Sequence, residues 1–136
     1  MKLVLSLATT MLLSLSAFAT EIQTPIEITL NPGAAQPFAD QYYSYNFGST
    51  TRNFPLYTDF TLNNHGPGPL FIQRIAIGGV DFDAVYNCPA TLPPASFCTI
   101  RVRFQPWREG FTSGRLLITT NEGHIIIDLS GWGRRF

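Results

Sequence analysis

Thr99-Ile100-Arg101-Val102-Arg103-Phe104 alternates apolar and charged side chains without a break. A strand sends successive side chains to opposite faces. Ile100, Val102 and Phe104 are therefore expected to point into a core, with Arg101 and Arg103 pointing out. Downstream, Pro106 to Gly110 reads as a turn, and Arg115–Thr120 and His124–Leu129 follow as apolar runs. Asn121-Glu122-Gly123 joins those two runs, which predicts a hairpin.

Upstream the same period recurs. Leu70 to Ile77 is a strand closed by Gly78-Gly79, and Leu56 to Leu62 alternates before the turn-rich Asn63–Pro69. The stretch Ala34 to Asn53 is less regular but holds Tyr42, Tyr43, Tyr45 and Phe47. Ile26, Ile28 and Leu30 share one face of Ile22–Leu30. Pro25 cannot donate to a ladder, which marks that segment as an edge strand. No apolar period of 3.6 residues is sustained beyond the N-terminal segment. About seven short strands separated by turns predict an all-β sandwich of two packed antiparallel sheets.

Composition agrees. Of 136 residues, 45% are hydrophobic and 13% charged, which is too apolar for a disordered chain. Formal net charge is zero, so no global field recruits nucleic acid. The N-terminus reads as an export signal: Lys2, the uncharged apolar run Leu3–Leu15, then Ala17-Phe18-Ala19 before a cut at Thr20. Thirteen apolar residues are too few to span about 30 Å of hydrocarbon. Residues 1–19 are thus assigned as a signal peptide and 20–136 as a single domain with no membrane span. Of the nine basic residues one is Lys2, so eight arginines face nine acids in the mature chain.

Export places Cys88 and Cys98 in an oxidising space, where two cysteines allow one intramolecular bridge. The alternative is a redox-active or metal-binding thiol pair. Nine residues between the two sulfurs is not the CxxC spacing, and no histidine lies nearby.

Motifs of catalysis are missing: there is no GxSxG, HExxH, phosphate loop or dinucleotide-binding glycine pattern. His65 and His124 are 59 positions apart without a ligand cluster. Asp81 and Asp83 with Asn87 fall well short of the six to eight oxygens of a calcium site. No metal, cofactor or catalytic residue is assigned. Two surface features stand out. In the group Tyr42, Tyr43, Tyr45 and Phe47, Tyr42 stands apart and the other three share one face if extended, which makes either a core strand or a stacking platform for sugar or protein. Arg101 and Arg103 pair with acids on neighbouring strands, Asp128 or Asp59, or form a carboxylate-binding stripe.

An ordered set of anchors carries a family resemblance. Phe47-Gly48 precedes Phe60-Thr61-Leu62-Asn63-Asn64-His65-Gly66 and Pro69-Leu70-Phe71-Ile72. Asp81-Phe82, Asn87-Cys88-Pro89, Leu92-Pro93-Pro94 and Cys98 through Pro106 follow. Gly110, Ser113-Gly114, Leu116, Ile118–Asn121 and Leu129-Ser130-Gly131-Trp132-Gly133 complete it. From about Tyr45 to Gly133 the chain resembles the Hydin- or ASH-type immunoglobulin-like domain, related to major sperm protein folds and including bacterial choice-of-anchor D domains. His65 departs from the Thr or small residue more common there. The resemblance implies an immunoglobulin-like sandwich and a binding or structural module rather than an enzyme. Phe60, Phe82, Phe104 and Leu129 are expected between the sheets, and Trp132 over one end of the core. Gly66, Gly68 and Gly110 are expected to supply positive φ, and Ser113 and Ser130 to sit in turns.

Together these readings predict a secreted or periplasmic module that contacts another envelope or extracellular protein, or a second copy of itself, through an exposed sheet edge. Ile22–Leu30 is the expected edge, either kept at home or donated to a neighbour. Carbohydrate or cell-wall binding through the tyrosines is the alternative, and a small hydrolase the remote one.

Overall fold

Alternating side chains build two apolar faces, and these close on each other in the computed structural model, which describes residues 26–33 and 40–135. The signal peptide assigned to residues 1–19 and Ile22–Pro25 of the predicted edge strand lie outside the described residues. Nine strands are described: β1 (Glu27–Leu30), β2 (Gln41–Thr51), β3 (Leu56–Asn64), β4 (Leu70–Gly78), β5 (Phe82–Tyr86), β6 (Thr91–Leu92), β7 (Ser96–Phe104), β8 (Gly110–Thr120) and β9 (Gly123–Arg134). One sheet runs β1-β3-β7-β5 and the other β2-β9-β8-β4-β6. The protein is an all-β sandwich.

Two pairings refine the antiparallel expectation: β1 runs parallel to β3, and β2 parallel to β9. Both are outer strands laid beside partners far along the chain. Side-chain period reports which face a residue takes, but not which strand lies alongside.

The core is the one that alternation selects. Ile100, Val102 and Phe104 are fully buried from β7, Phe60 and Leu62 from β3, and Leu116, Ile118, Ile127 and Leu129 from β8 and β9. Ile28 and Leu30 are buried too, and β1 completes its own sheet beside β3. Phe82 and Phe104 stack with centroids 5.1 Å apart, and Phe47 meets both at 5.9 and 5.4 Å.

Trp132 departs from expectation. Gly131 and Gly133 take the inward positions of β9, so Trp132 points outward, 48% exposed, edge-on to Phe111 at 5.5 Å. Gly110 does adopt a positive φ of 108°, whereas Gly66 and Gly68 do not. Gly66 is needed for a different reason: a Cβ there would run into the backbone of Asn31 and Pro32. Ser113 and Ser130 are not in turns. They face each other in mid-strand on β8 and β9.

Cys88 and Cys98 form a disulfide with an S–S length of 2.05 Å. It ties the segment after β5 to β7, and Cys98 is buried in the core. Because the closed loop is short and already stiffened by Pro89, Pro93 and Pro94, Cys88→Ser/Cys98→Ser is expected to lose about 2–3 kcal/mol or somewhat less. The midpoint of urea unfolding, compared with that of the oxidised parent, measures it.

Candidate interaction surface

Sheet edges expose backbone donors and acceptors, and proteins blunt them with charge, proline, bulges or brevity. Among the described residues the two sheets have four edges, and three of them are blunted. On β1 the edge is four residues long and carries Glu27. On β5 the Ala84 N–H is taken by Asp83 Oδ1 at 2.9 Å and the Phe82 N–H by the Gly79 carbonyl at 3.2 Å. The two-residue β6 covers Leu70 and Phe71 of β4, and beyond them lie an irregularity between Ile72 and Arg74 and the arginine itself.

The fourth edge, β2, differs. Its eleven residues, QYYSYNFGSTT, include no charge and no proline. No described strand pairs with its outer side. One device interrupts it, a register shift between Asn46 and Ser49 where Gly48 turns at φ 83° and donates its N–H to Asn46 Oδ1.

The strand is held by its inward rings. Tyr45 meets Phe60 edge-on at 5.6 Å and Phe47 at 5.0 Å. Tyr43 is partly buried, donates its hydroxyl to Gln41 Oε1 at 2.6 Å, and has its phenol pKa pushed up by burial. Tyr42 alone faces outward, 73% exposed. Tyr42, Tyr43 and Tyr45 therefore do not share one exposed platform, because adjacent positions on a strand face opposite ways.

Arg101 and Arg103 both point outward from β7 and both are paired. Arg101 makes a two-pronged contact with Asp59 directly opposite on β3, at 2.8 and 3.1 Å. Its hydrogen bond holds the Asp59 carboxyl below the usual carboxylate range. That stabilisation is present above the unfolded pKa of Asp59 and is lost as pH falls through the folded one. Arg103 pairs with Asp83 on β5 at 3.1 Å, a partner the sequence did not single out, while Asp128 pairs with Arg115 at 2.8 Å. All three pairs are exposed and contribute little to stability.

The candidate calcium ligands are each engaged within the fold. Asp81 accepts from the Trp107 N–H and the Thr112 hydroxyl, Asp83 from Arg103 and Ala84, and Asn87 from the Thr99 N–H. Among the described residues no group of three His, Cys, Asp or Glu side chains is arranged to hold a metal. His65 is exposed, and His124 Nδ1 lies 3.3 Å from the Thr119 hydroxyl. Among the described residues no helix is long and apolar enough to cross a membrane.

A cleft of about 390 Å³ opens where the links before β5 and after β7 meet, with Trp107 on its wall. Sequence reading missed it. Trp107 lies in a turn, outside any alternating run, and its neighbours Asn53 and Val80 are remote in the chain.

With the sheet order in view, comparison with solved structures is informative. The chain is similar to the ASH/PapD-like domain 7 of human CEP192, with a TM-score of 0.56 and 14% identity over 87% of this chain and 99% of that one. It has the fold of an ASH/PapD-like domain. A protein of unknown function from Porphyromonas gingivalis W83 matches with a TM-score of 0.58 and 16% identity over 72% of this chain. The secreted serine protease VesC from Vibrio cholerae matches with a TM-score of 0.52 and 13% identity over 65% of this chain. This chain spans 50% and 21%, respectively, of those last two proteins. No family profile and no curated protein matches the sequence.

Proposed function

We propose that this chain is an exported, non-catalytic immunoglobulin-like module of the Hydin or choice-of-anchor D type, which binds an envelope or extracellular protein by adding a strand to β2. The observation that carries the reading is the eleven-residue β2 edge, uncharged and anchored from beneath by Tyr43, Tyr45 and Phe47. Strand addition draws affinity from main-chain hydrogen bonds, and side chains on alternate positions of the added strand supply selectivity. The disulfide suits a periplasmic or extracellular space, as does the N-terminal export pattern. Arg101 and Arg103 are held by Asp59 and Asp83, which leaves less of their charge for a partner on that face.

Photoreactive residues placed separately at Ser44 on β2 and Thr61 on the opposite sheet test this in the native envelope. Cross-linked partner peptides are expected from position 44 and not from 61. Tyr42→Lys/Ser44→Lys, with both side chains exposed, should reduce that labelling at least tenfold while the unfolding midpoint stays unchanged. Labelling that is absent at 44, equal at both positions, or indifferent to the lysines would defeat the reading. A second copy is one such partner, and size-exclusion chromatography distinguishes it as a dimer that the lysines dissociate.

A further inference from the structure

The cleft beside Trp107 is lined by no residue of β2, and hydrogen bonds hold its walls. Trp107 is 69% exposed, although its backbone is fixed on several sides. Its N–H donates to Asp81 Oδ1 at 3.1 Å, and the preceding Gln105 N–H donates to the Asp81 carbonyl at 2.9 Å. Asp81 is itself held by the Thr112 hydroxyl at 2.8 Å. On the other side the Asn53 N–H donates to the Pro106 carbonyl at 2.9 Å, and Gln105 Nε2 donates to the Asn53 carbonyl at 2.9 Å. Asn53 is in the left-handed region at φ 68°. Gly133 is required below, because a Cβ there would collide with the Arg108 carbonyl. The fold thus fixes the backbone that carries a large aromatic side chain and leaves that side chain exposed.

We infer that this cleft binds a neutral sugar ring, with the Trp107 indole against the ring's apolar face. Its volume of about 390 Å³ falls in the range of small-ligand clefts, roughly 300–1,000 Å³. Val80, 79% exposed, adds a second apolar contact. Phe82 also lines the cleft, and the remaining five lining residues are polar: Asn53, Asp81, Asp83, Arg103 and Gln105. Carboxylate, amide and guanidinium groups match vicinal hydroxyls, which both donate and accept. These groups keep lone pairs and N–H groups beyond their bonds within the fold, and an apolar occupant would strip water from them, at about 1–3 kcal/mol for each group left unsatisfied. An anion is disfavoured because two carboxylates outnumber one guanidinium, and that guanidinium already holds Asp83 at 3.1 Å.

Titration calorimetry of the full protein with maltotetraose, cellotetraose, fully N-acetylated chitotetraose and, as the acidic control, trigalacturonic acid tests the inference. Saturable binding of at least one neutral tetrasaccharide is expected, with none of the acid. In a Trp132→Phe background, which leaves Trp107 as the sole tryptophan, the same sugar should shift the emission spectrum. Trp107→Ala should weaken binding at least tenfold, about 1.4 kcal/mol, without moving the unfolding midpoint. Tyr42→Lys should bind the sugar as well as the parent does, which separates this site from the β2 edge. Failure of all three neutral sugars, tighter binding of the acid, or undiminished binding by Trp107→Ala overturns the inference.

Discussion

Phe104→Ala is expected to destabilise the protein by about 3–5 kcal/mol, a large share of the 5–15 kcal/mol typical of a domain. The ring is fully buried, flanked in register by Leu56 on β3 and Phe82 on β5. It stacks on Phe82 at 5.1 Å and tilts against Phe47 of the opposite sheet at 5.4 Å. Truncation would remove the element where the sheets meet and leave a cavity walled by two other rings. Denaturant midpoints at constant m measure the loss. Gly131 offers an internal check, since a Cβ there would come within 2.6 Å of the Phe104 ring. Gly131→Ala alone should therefore destabilise by overpacking, about 1–3 kcal/mol. Combined with Phe104→Ala, the added methyl enters the vacated space, and the two losses should sum to less than their separate values. Additive losses would show that ring and glycine do not share that space.

Asn64→Ala is the second large effect, about 2–4 kcal/mol. Asn64 is fully buried at the end of β3. Its Nδ2 donates to the carbonyls of Gly68 and Leu92, each at 3.0 Å, and its Oδ1 accepts from the Gly66 N–H at 3.0 Å. One amide thus joins β3, the link to β4, and β6 of the other sheet. Alanine would remove one hydrogen bond from each of two carbonyls and one N–H, and two of those bonds are buried. Asn64→Asp is diagnostic. It retains the acceptor but sets a carboxylate against two carbonyl oxygens, which raises its folded pKa above the unfolded value of about 3.9. A raised folded pKa means that the variant is least impaired, relative to the parent, below the unfolded pKa and loses ground as pH rises through the folded one. A deficit that shrinks on raising the pH, or a neutral Asn64→Ala, would remove this hub from the account.

The candidate site was partly legible. Alternation placed Arg101 and Arg103 outside and put Tyr43 and Tyr45 on one face, with Tyr42 on the other. It did not say whether the face with two tyrosines was covered, because that depends on the opposite sheet. Asp59 was foreseeable as a partner of Arg101, but Asp83 was not, since β5 lies beside β7 only through the closing of the sheet. Asn64 read as a turn residue, because a buried amide and an exposed one look alike in a sequence.

Phe82 and Leu129 came with the family resemblance, whereas from residues alone came the all-β character, the inward set of Ile100, Val102 and Phe104, and the hairpin of β8 with β9. Those depend on a two-residue period and on turn chemistry, which are local. Which strands lie side by side, that β2 ends a sheet with no described strand on its outer side, and that Trp107 meets Asn53 and Val80 across a cleft were settled only in three dimensions. Such contacts join segments distant along the chain, and their selection rests on the packing of the whole core, to which no short stretch of residues is sensitive.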